Sequence, residues 1–298
     1  MVKWLKIAGV SALLLLTGCA SNNSQWVYPP MAVPLQPSLQ QEVQIARLSQ
    51  LLTRQDLNND VRAKMYYERG NYYDSVGLRD LARLDFERSL KLNPRQPDVY
   101  NLLGVYFTEK REFDAAYESF DSTLELDPGN EYAERNRAIA LYYGGRYELA
   151  FEEMSKHYSD DSQDPFRALW LYVIELEIDP VAAANKLKQR YDERGDRWGW
   201  LMVAIMLEEI SEEQAYKAIV DGSTGNEILA QRLTEIYFYL GKRHQLKGDY
   251  ANAISLYKLS LAFNVFEYVE HRYSYLELGN MYTILREARQ NELGQDQK

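Results

Sequence analysis

One spacing constrains this chain more than any other feature. Gly70, Gly104 and Ala138 stand 34 residues apart, as do Ala82, Ala116 and Ala150, and as do Phe86, Phe120 and Met154. Pro94 and Pro128 keep the same step. Tyr66 and Tyr100 precede their glycines by four residues, and Tyr73 and Phe107 follow them by three. The offsets return once more at 234–267 with Tyr237, Leu240, Gly241, Ala253 and Tyr257, where Val265 takes the place of the proline. A unit of this length cannot bury its apolar face alone and must stack on its neighbours. Each position has a physical task. The small residues at the eighth and twentieth positions let two helices approach closely. The aromatics fill the space between them, burying large areas per residue. Pro94 and Pro128 end the second helix, because proline cannot continue it. Gly77, Gly145 and Gly248 fall at the fifteenth position, where a left-handed turn favours glycine.

The pattern resembles the tetratricopeptide repeat, a helix–turn–helix unit of this length. The units are 63–96, 97–130, 131–164 and 234–267. The third is the most divergent, with Ala138 for glycine, Leu141 for tyrosine and no proline before Pro165. Between the third and fourth, 165–233 reads as divergent helix pairs of the same solenoid. The stretches FRALWLYVIELEI and WGWLMVAIMLEEI are apolar enough to be largely buried, and Asp179-Pro180 makes a cap and first turn. Residues 39–62 hold an N-terminal helix whose Leu39, Val43, Ala46, Leu48, Leu51 and Leu52 share one stripe. Residues 268–298 hold a last helix or helix pair with a frayed tail from Asn291. No segment alternates with strand period, so the predicted fold is an all-α tetratricopeptide-type helical solenoid.

The start of the chain obeys a different logic. Cys19 is the single cysteine of 298 residues, so it has neither a disulfide partner within the chain nor a Cys-rich metal site. It follows Lys3, Lys6 and an apolar run from Ile7 to Leu16. That run is about ten residues, where a membrane-spanning helix needs roughly twenty. A basic start, a short apolar core and small residues at its end make a secretory signal, 1–18. The order Leu16-Thr17-Gly18-Cys19 resembles the bacterial lipoprotein processing box. The resemblance implies S-diacylglycerol and N-acyl lipid on Cys19, the only covalent group expected. Ala20 rather than Asp after the cysteine implies the outer membrane, facing the periplasm. Residues 19–38 then form a tether with Pro29, Pro30, Pro34 and Pro37. The eighteen residues from Ser21 to Ser38 extend to roughly 50 Å at about 3.1 Å each.

Charge and motif content narrow the function. The chain carries 34 basic and 44 acidic side chains, and loss of Lys3 and Lys6 with the leader takes the net charge from −10 to −12. Nucleic-acid binding needs a basic footprint, so no nucleic-acid partner is expected. His157, His244 and His271 have no HExxH spacing, and Gly144-Gly145 is a helix turn rather than a phosphate loop. Asp160-Asp161 and Glu152-Glu153 lack the spacing of a calcium loop. No catalytic residue, metal site or cofactor is assigned, and the chain is not expected to be an enzyme.

The concave face of such a solenoid binds extended partners. In tetratricopeptide folds it is lined by positions 2, 5, 9, 12 and 13 of the first helix. The resemblance maps these onto Tyr67, Asn71 and Asp74, then Asn101, Thr108 and Glu109, then Tyr132, Arg135 and Tyr142, then Phe238 and Lys242. Lys64, Asp98, Tyr143, Glu235 and Gln245 fall on equivalent positions. Aromatics mixed with amides suit a polypeptide segment. The two-lysine clamp that some of these domains use for a terminal carboxylate is not reproduced, because Tyr67 stands where a lysine would be.

The stretches AVPLQPSLQQEV (32–43), FDAAYESFDSTLELDP (113–128), ALYYGGRYELA (140–150), DPFRALWLY (164–172) and VEHRYSYLEL (269–278) resemble the NlpI family of outer-membrane lipoproteins, in order along nearly the whole chain. The resemblance implies a homodimeric, non-enzymatic adaptor. It would dock a periplasmic C-terminal-processing protease, present a peptidoglycan endopeptidase to it for degradation, and scaffold peptidoglycan hydrolases and synthesis complexes. A tetratricopeptide pilotin lipoprotein, serving type IV pilus or secretin assembly, is the alternative adaptor.

Overall fold

The computed structural model describes residues 29–295, with side chains described as far as Gln290. The leader, Cys19 and the first part of the tether lie outside the described residues. The described chain is helical, with no strand: α1 (Leu39–Leu51), α2 (Asn59–Ser75), α3 (Arg79–Leu92), α4 (Pro97–Glu109), α5 (Phe113–Leu126), α6 (Glu131–Tyr143), α7 (Tyr147–Asp160), α8 (Pro165–Ile178), α9 (Pro180–Asp192), α10 (Trp200–Met206), α11 (Glu212–Gly222), α12 (Asn226–Leu246), α13 (Tyr250–Leu261) and α14 (Val269–Gln295). It is the all-α tetratricopeptide-type fold that the period requires.

The hairpins α2–α3, α4–α5, α6–α7 and α12–α13 share one packing device. A Cβ on Gly70, Gly104 or Gly241 would come within 2.5–2.7 Å of the ring of Phe86, Phe120 or Tyr257 respectively. Real side chains do not approach so closely, so the ring at the twenty-fourth position rests on bare backbone at the eighth. The third hairpin solves the same problem differently. Ala138 replaces glycine and the unbranched Met154 replaces the ring, and both are fully buried. The turns between paired helices pass through the left-handed region at Gly77 (φ 81°), Gly145 (74°) and Gly248 (76°). The second unit puts Arg111 there at φ 63°, a conformation that costs a residue with a Cβ roughly 1–2 kcal/mol.

Between the third and fourth repeats the pairing loosens. Asp179 both ends α8 and caps α9, accepting from the amides of Val181 and Ala182 at 3.1 and 3.0 Å. Helix α10 is cut short at seven residues, where Glu208 turns left-handed at φ 60°. The stripe read on α1 is only half buried. Leu48 and Leu52 are inside, whereas Leu39 and Val43 face outward, because α1 rests chiefly on α2.

Two segments behave differently from the sequence reading. The last part of the tether is docked rather than free. Val33 and Asn226 exchange two hydrogen bonds (2.8 and 2.9 Å), the Leu35 amide donates to Phe263 O at 2.9 Å, and the Tyr237 hydroxyl donates to Pro30 O at 2.5 Å. Within this strap, Ala32 is buried against the core. Eighteen free residues are therefore not available. The eleven residue steps from Cys19 to Pro30 span at most about 36–40 Å. The second difference is α14. It is one helix, one of the two expected forms, but it continues through Asn291 to Gln295 where fraying was expected, and its first half packs on α13 and reaches Asp74, Glu109 and Lys242 on the first helices of the repeats.

Candidate protein-binding groove

Helix α14 enters the groove with its charges already matched. Arg272 donates to Asp74 on α2 at 2.5 and 3.2 Å and to Glu109 on α4 at 3.3 Å. Arg79 on α3 donates to Glu109 at 3.0 Å and to His271 Nδ1 at 3.1 Å. That bond makes Nδ1 the acceptor and puts the imidazole proton on Nε2. Lys242 on α12 forms an ion pair with Glu277 and donates to the Tyr142 hydroxyl at 3.0 Å. Tyr143 and Trp170 pack against Tyr273 with ring centroids 5.1 and 5.9 Å apart.

These surroundings set the ionisation. Burial works against the charge on Lys242, but the Glu277 carboxylate and Tyr142 outweigh it and hold the ammonium above its ordinary value. Burial pushes the Tyr142 phenol up to about 12. His271 is driven down to about 3 by burial and by the neighbouring Arg79 and Arg272 guanidiniums.

The expected groove residues thus divide in two. Asp74, Glu109, Tyr142 and Lys242 are brought together, but around α14. The expectation that they line an open groove is corrected, because the chain's own helix satisfies them. Phe238 is likewise turned inward, fully buried between Trp170, Tyr239 and Tyr257. Thr108 is fully buried and donates to Gly104 O at 2.8 Å. Tyr67 is half-buried beside Phe86, with centroids 6.4 Å apart. Asn101 accepts from Asn136 at 3.1 Å, and Asn71 is half-buried.

Tyr132 and Arg135, with Glu235 at the matching position of the fourth unit, lie elsewhere. They line a cavity of about 790 Å³ that α14 leaves open, walled by α6, α7, α8, α12 and the start of α14. Six lining side chains are carboxylates and two are guanidiniums. Some of these are already engaged. Asp164 caps α8, and Glu131 accepts from Arg167 at 2.9 Å. Glu235 is not. It is 7 % exposed, and its Oε2 is buried without a hydrogen-bond partner. Glu270 is also buried and accepts from the Tyr239 hydroxyl at 3.1 Å. Burial raises both carboxyls, and the neighbouring Glu270 charge raises Glu235 further. His157 is buried with Nδ1 unpartnered, and is held down to about 4 by burial and by Arg167 and Arg135.

Sequence reasoning missed Glu270, Arg272, Glu277, Phe166, Trp170 and His157 as parts of this region. The signal for the α14 residues was present. Three charges sit within eight residues of an otherwise apolar, aromatic helix, which is unusual unless each meets a partner.

Comparison with known proteins agrees with this architecture. Residues 67–131 match the family model described as a tetratricopeptide repeat. A tetratricopeptide repeat protein from Parabacteroides merdae is similar over 80% of this chain and 77% of its own, with 14% identity and a TM-score of 0.50. PilF of Pseudomonas aeruginosa is similar over 74% of this chain and 99% of its own, with 20% identity and a TM-score of 0.42. The likeness to the Parabacteroides merdae protein is one of fold.

Proposed function

We propose that this protein is a lipid-anchored adaptor of the outer membrane, facing the periplasm, that holds a C-terminal-processing protease and a peptidoglycan endopeptidase together so that the second is degraded. The observation that carries the reading is a helical-repeat scaffold, part of whose groove stays open, with its N-terminal strap eleven residue steps, at most about 36–40 Å, from the single cysteine, whose lipoprotein-like surroundings supply the anchor. The family-like stretches, from the strap to α14, supply the partners. Such an adaptor acts by proximity. Two proteins seated on one scaffold meet at an effective concentration of about millimolar, with no reactive group required of the scaffold. A homodimer would double the docking sites. Acyl chains on Cys19 would keep the assembly at the membrane, since each buried methylene contributes roughly 0.8 kcal/mol and one chain alone binds reversibly.

Deletion of the gene is expected to lengthen the endopeptidase half-life several-fold, measured by immunoblot after translation is stopped. An unchanged half-life would remove the protease-adaptor role. A pull-down from solubilised membranes is expected to bring the protease and cell-wall hydrolases. Capture of secretin or pilus subunits in their place would select the pilotin alternative.

A further inference from the structure

We infer that the cavity between α6, α8 and α12 receives a lysine or arginine side chain presented by an extended polypeptide, its charged head at Glu235 and Glu270 and its methylenes along Phe166 and Trp170. The occupant being a polypeptide rests on the adaptor reading. The selectivity for a cation rests on the cavity itself.

The starting point is Glu235. Native proteins pair almost every buried polar group, and an unpaired one calls for an explanation. Glu235 is more than nine-tenths buried, lines the cavity, and has one carboxylate oxygen without any hydrogen-bond partner. The nearby cation on its own helix, Arg232, is committed elsewhere, donating to Gly222 O at 2.6 Å. Glu270 lines the same cavity and accepts from the Tyr239 phenol at 3.1 Å. Two buried carboxylates facing one space repel each other, and a cation placed between them removes that repulsion and supplies the missing donors together.

The walls favour an organic cation over a metal ion. Among the described residues no three carboxylate, imidazole or thiol groups are arranged to hold a metal. Arg135 stands over the Tyr132 ring, 5.6 Å from its centroid, and donates to Asn136 Oδ1 at 3.2 and 3.3 Å from two of its five N–H groups, which leaves others for the carbonyls of a peptide backbone. Phe166 and Trp170 offer ring surface to the hydrocarbon stem, and an ammonium or guanidinium gains further from an aromatic face. A cavity of about 790 Å³ holds a long side chain with its flanking backbone. The signs are opposite to those of the lysine clamp weighed in the sequence, so the recognised feature is a basic side chain rather than a carboxylate terminus.

The test titrates purified full-length protein in detergent with an eight-residue, end-blocked glycine-serine peptide carrying one central lysine, followed by calorimetry. The same peptide with norleucine or acetyl-lysine at that position is the control. The lysine peptide is expected to bind saturably, and each control at least about tenfold more weakly, the scale of losing one charge-assisted contact. Glu235→Gln is expected to weaken the lysine peptide by a similar factor while the melting temperature is held or raised, which separates loss of a site from loss of fold. Equal affinity for lysine and norleucine, or undiminished affinity in Glu235→Gln, overturns the assignment. Calcium chloride binding in place of the peptide would overturn it in favour of a metal. Because these measurements use only purified protein, their failure is distinguishable from an unchanged endopeptidase half-life in the deletion strain, which bears on the adaptor role alone.

Discussion

In the half of the groove that α14 fills, Arg272 meets Asp74 and Glu109, and Lys242 meets Glu277. In the half it leaves open, Glu235 Oε2 is buried without a hydrogen-bond partner, and Glu270 accepts from the Tyr239 phenol. Both regions are built from equivalent positions of the repeat, and both bury charge. The first resembles an interface that has already found its partner within the chain. The second resembles one still waiting. What separates structural from functional groove positions here is whether the neighbouring backbone completes the charge, and the repeat register does not record that.

The comparison breaks most sharply at Arg272. Arg272→Ala leaves Asp74 and Glu109 buried with one cation fewer, and removing one member of a buried ion pair costs about 3–5 kcal/mol. Urea denaturation should show a loss of that order. A loss below about 1 kcal/mol, the range of surface pairs, would mean that α14 is only loosely seated.

Acid tests the same half. The His271 imidazole is held down to a pKa of about 3 in the folded state, below its ordinary value of 6.5, because burial and the two flanking guanidiniums oppose its charging. The unfolded chain therefore binds the proton first as pH falls, and stability is lost progressively from about pH 6.5 downward. In His271→Gln the amide oxygen can still accept from Arg79. This variant should lose less stability than the parent between pH 7 and 4.5, by on the order of 1–3 kcal/mol in paired urea titrations. Parallel curves would place the acid sensitivity in other groups.

The open half should respond with the opposite sign. The Glu235 carboxyl is raised by burial and by Glu270, so its contribution to stability is present below the ordinary carboxylate range and disappears as pH rises through the folded value. Glu235→Gln should therefore melt higher than the parent at pH 8, by about 1 kcal/mol or more, and more nearly alike at pH 5. A lower melting point at pH 8 would mean that the carboxylate has a structural partner and that the two halves do not differ. The smallest effect is expected at Arg111→Gly. It relieves a left-handed turn worth roughly 1 kcal/mol and gives up the hydrogen bond to Asn280 on α14, so the net change should stay within about 1 kcal/mol.

Much of the body was legible before any coordinates. The glycine–aromatic contacts at Gly70, Gly104 and Gly241 are the eighth and twenty-fourth positions of the period, and the left-handed glycines are the fifteenth. Even the divergent third unit keeps its logic, exchanging a glycine and a ring for Ala138 and Met154. The groove was legible only as a set of positions. Tyr132, Arg135 and Glu235 reached an open cavity, while Asp74, Glu109, Tyr142 and Lys242 were claimed by α14. The strap was legible as proline-rich but not as docked, because its hydrogen bonds go through backbone groups that any residue carries.

By itself, then, the sequence determined the hairpins, their turns and the helical class, since those depend on residues within one 34-residue unit that meet whatever the rest of the chain does. The curvature that brings residue 272 against residue 74, across 198 positions, was decided by the tertiary structure alone. Small rotations between successive units accumulate into that curve. No local pattern encodes their sum, so which groove residues α14 covers, and which it leaves facing an unfilled space, follows only from the assembled fold.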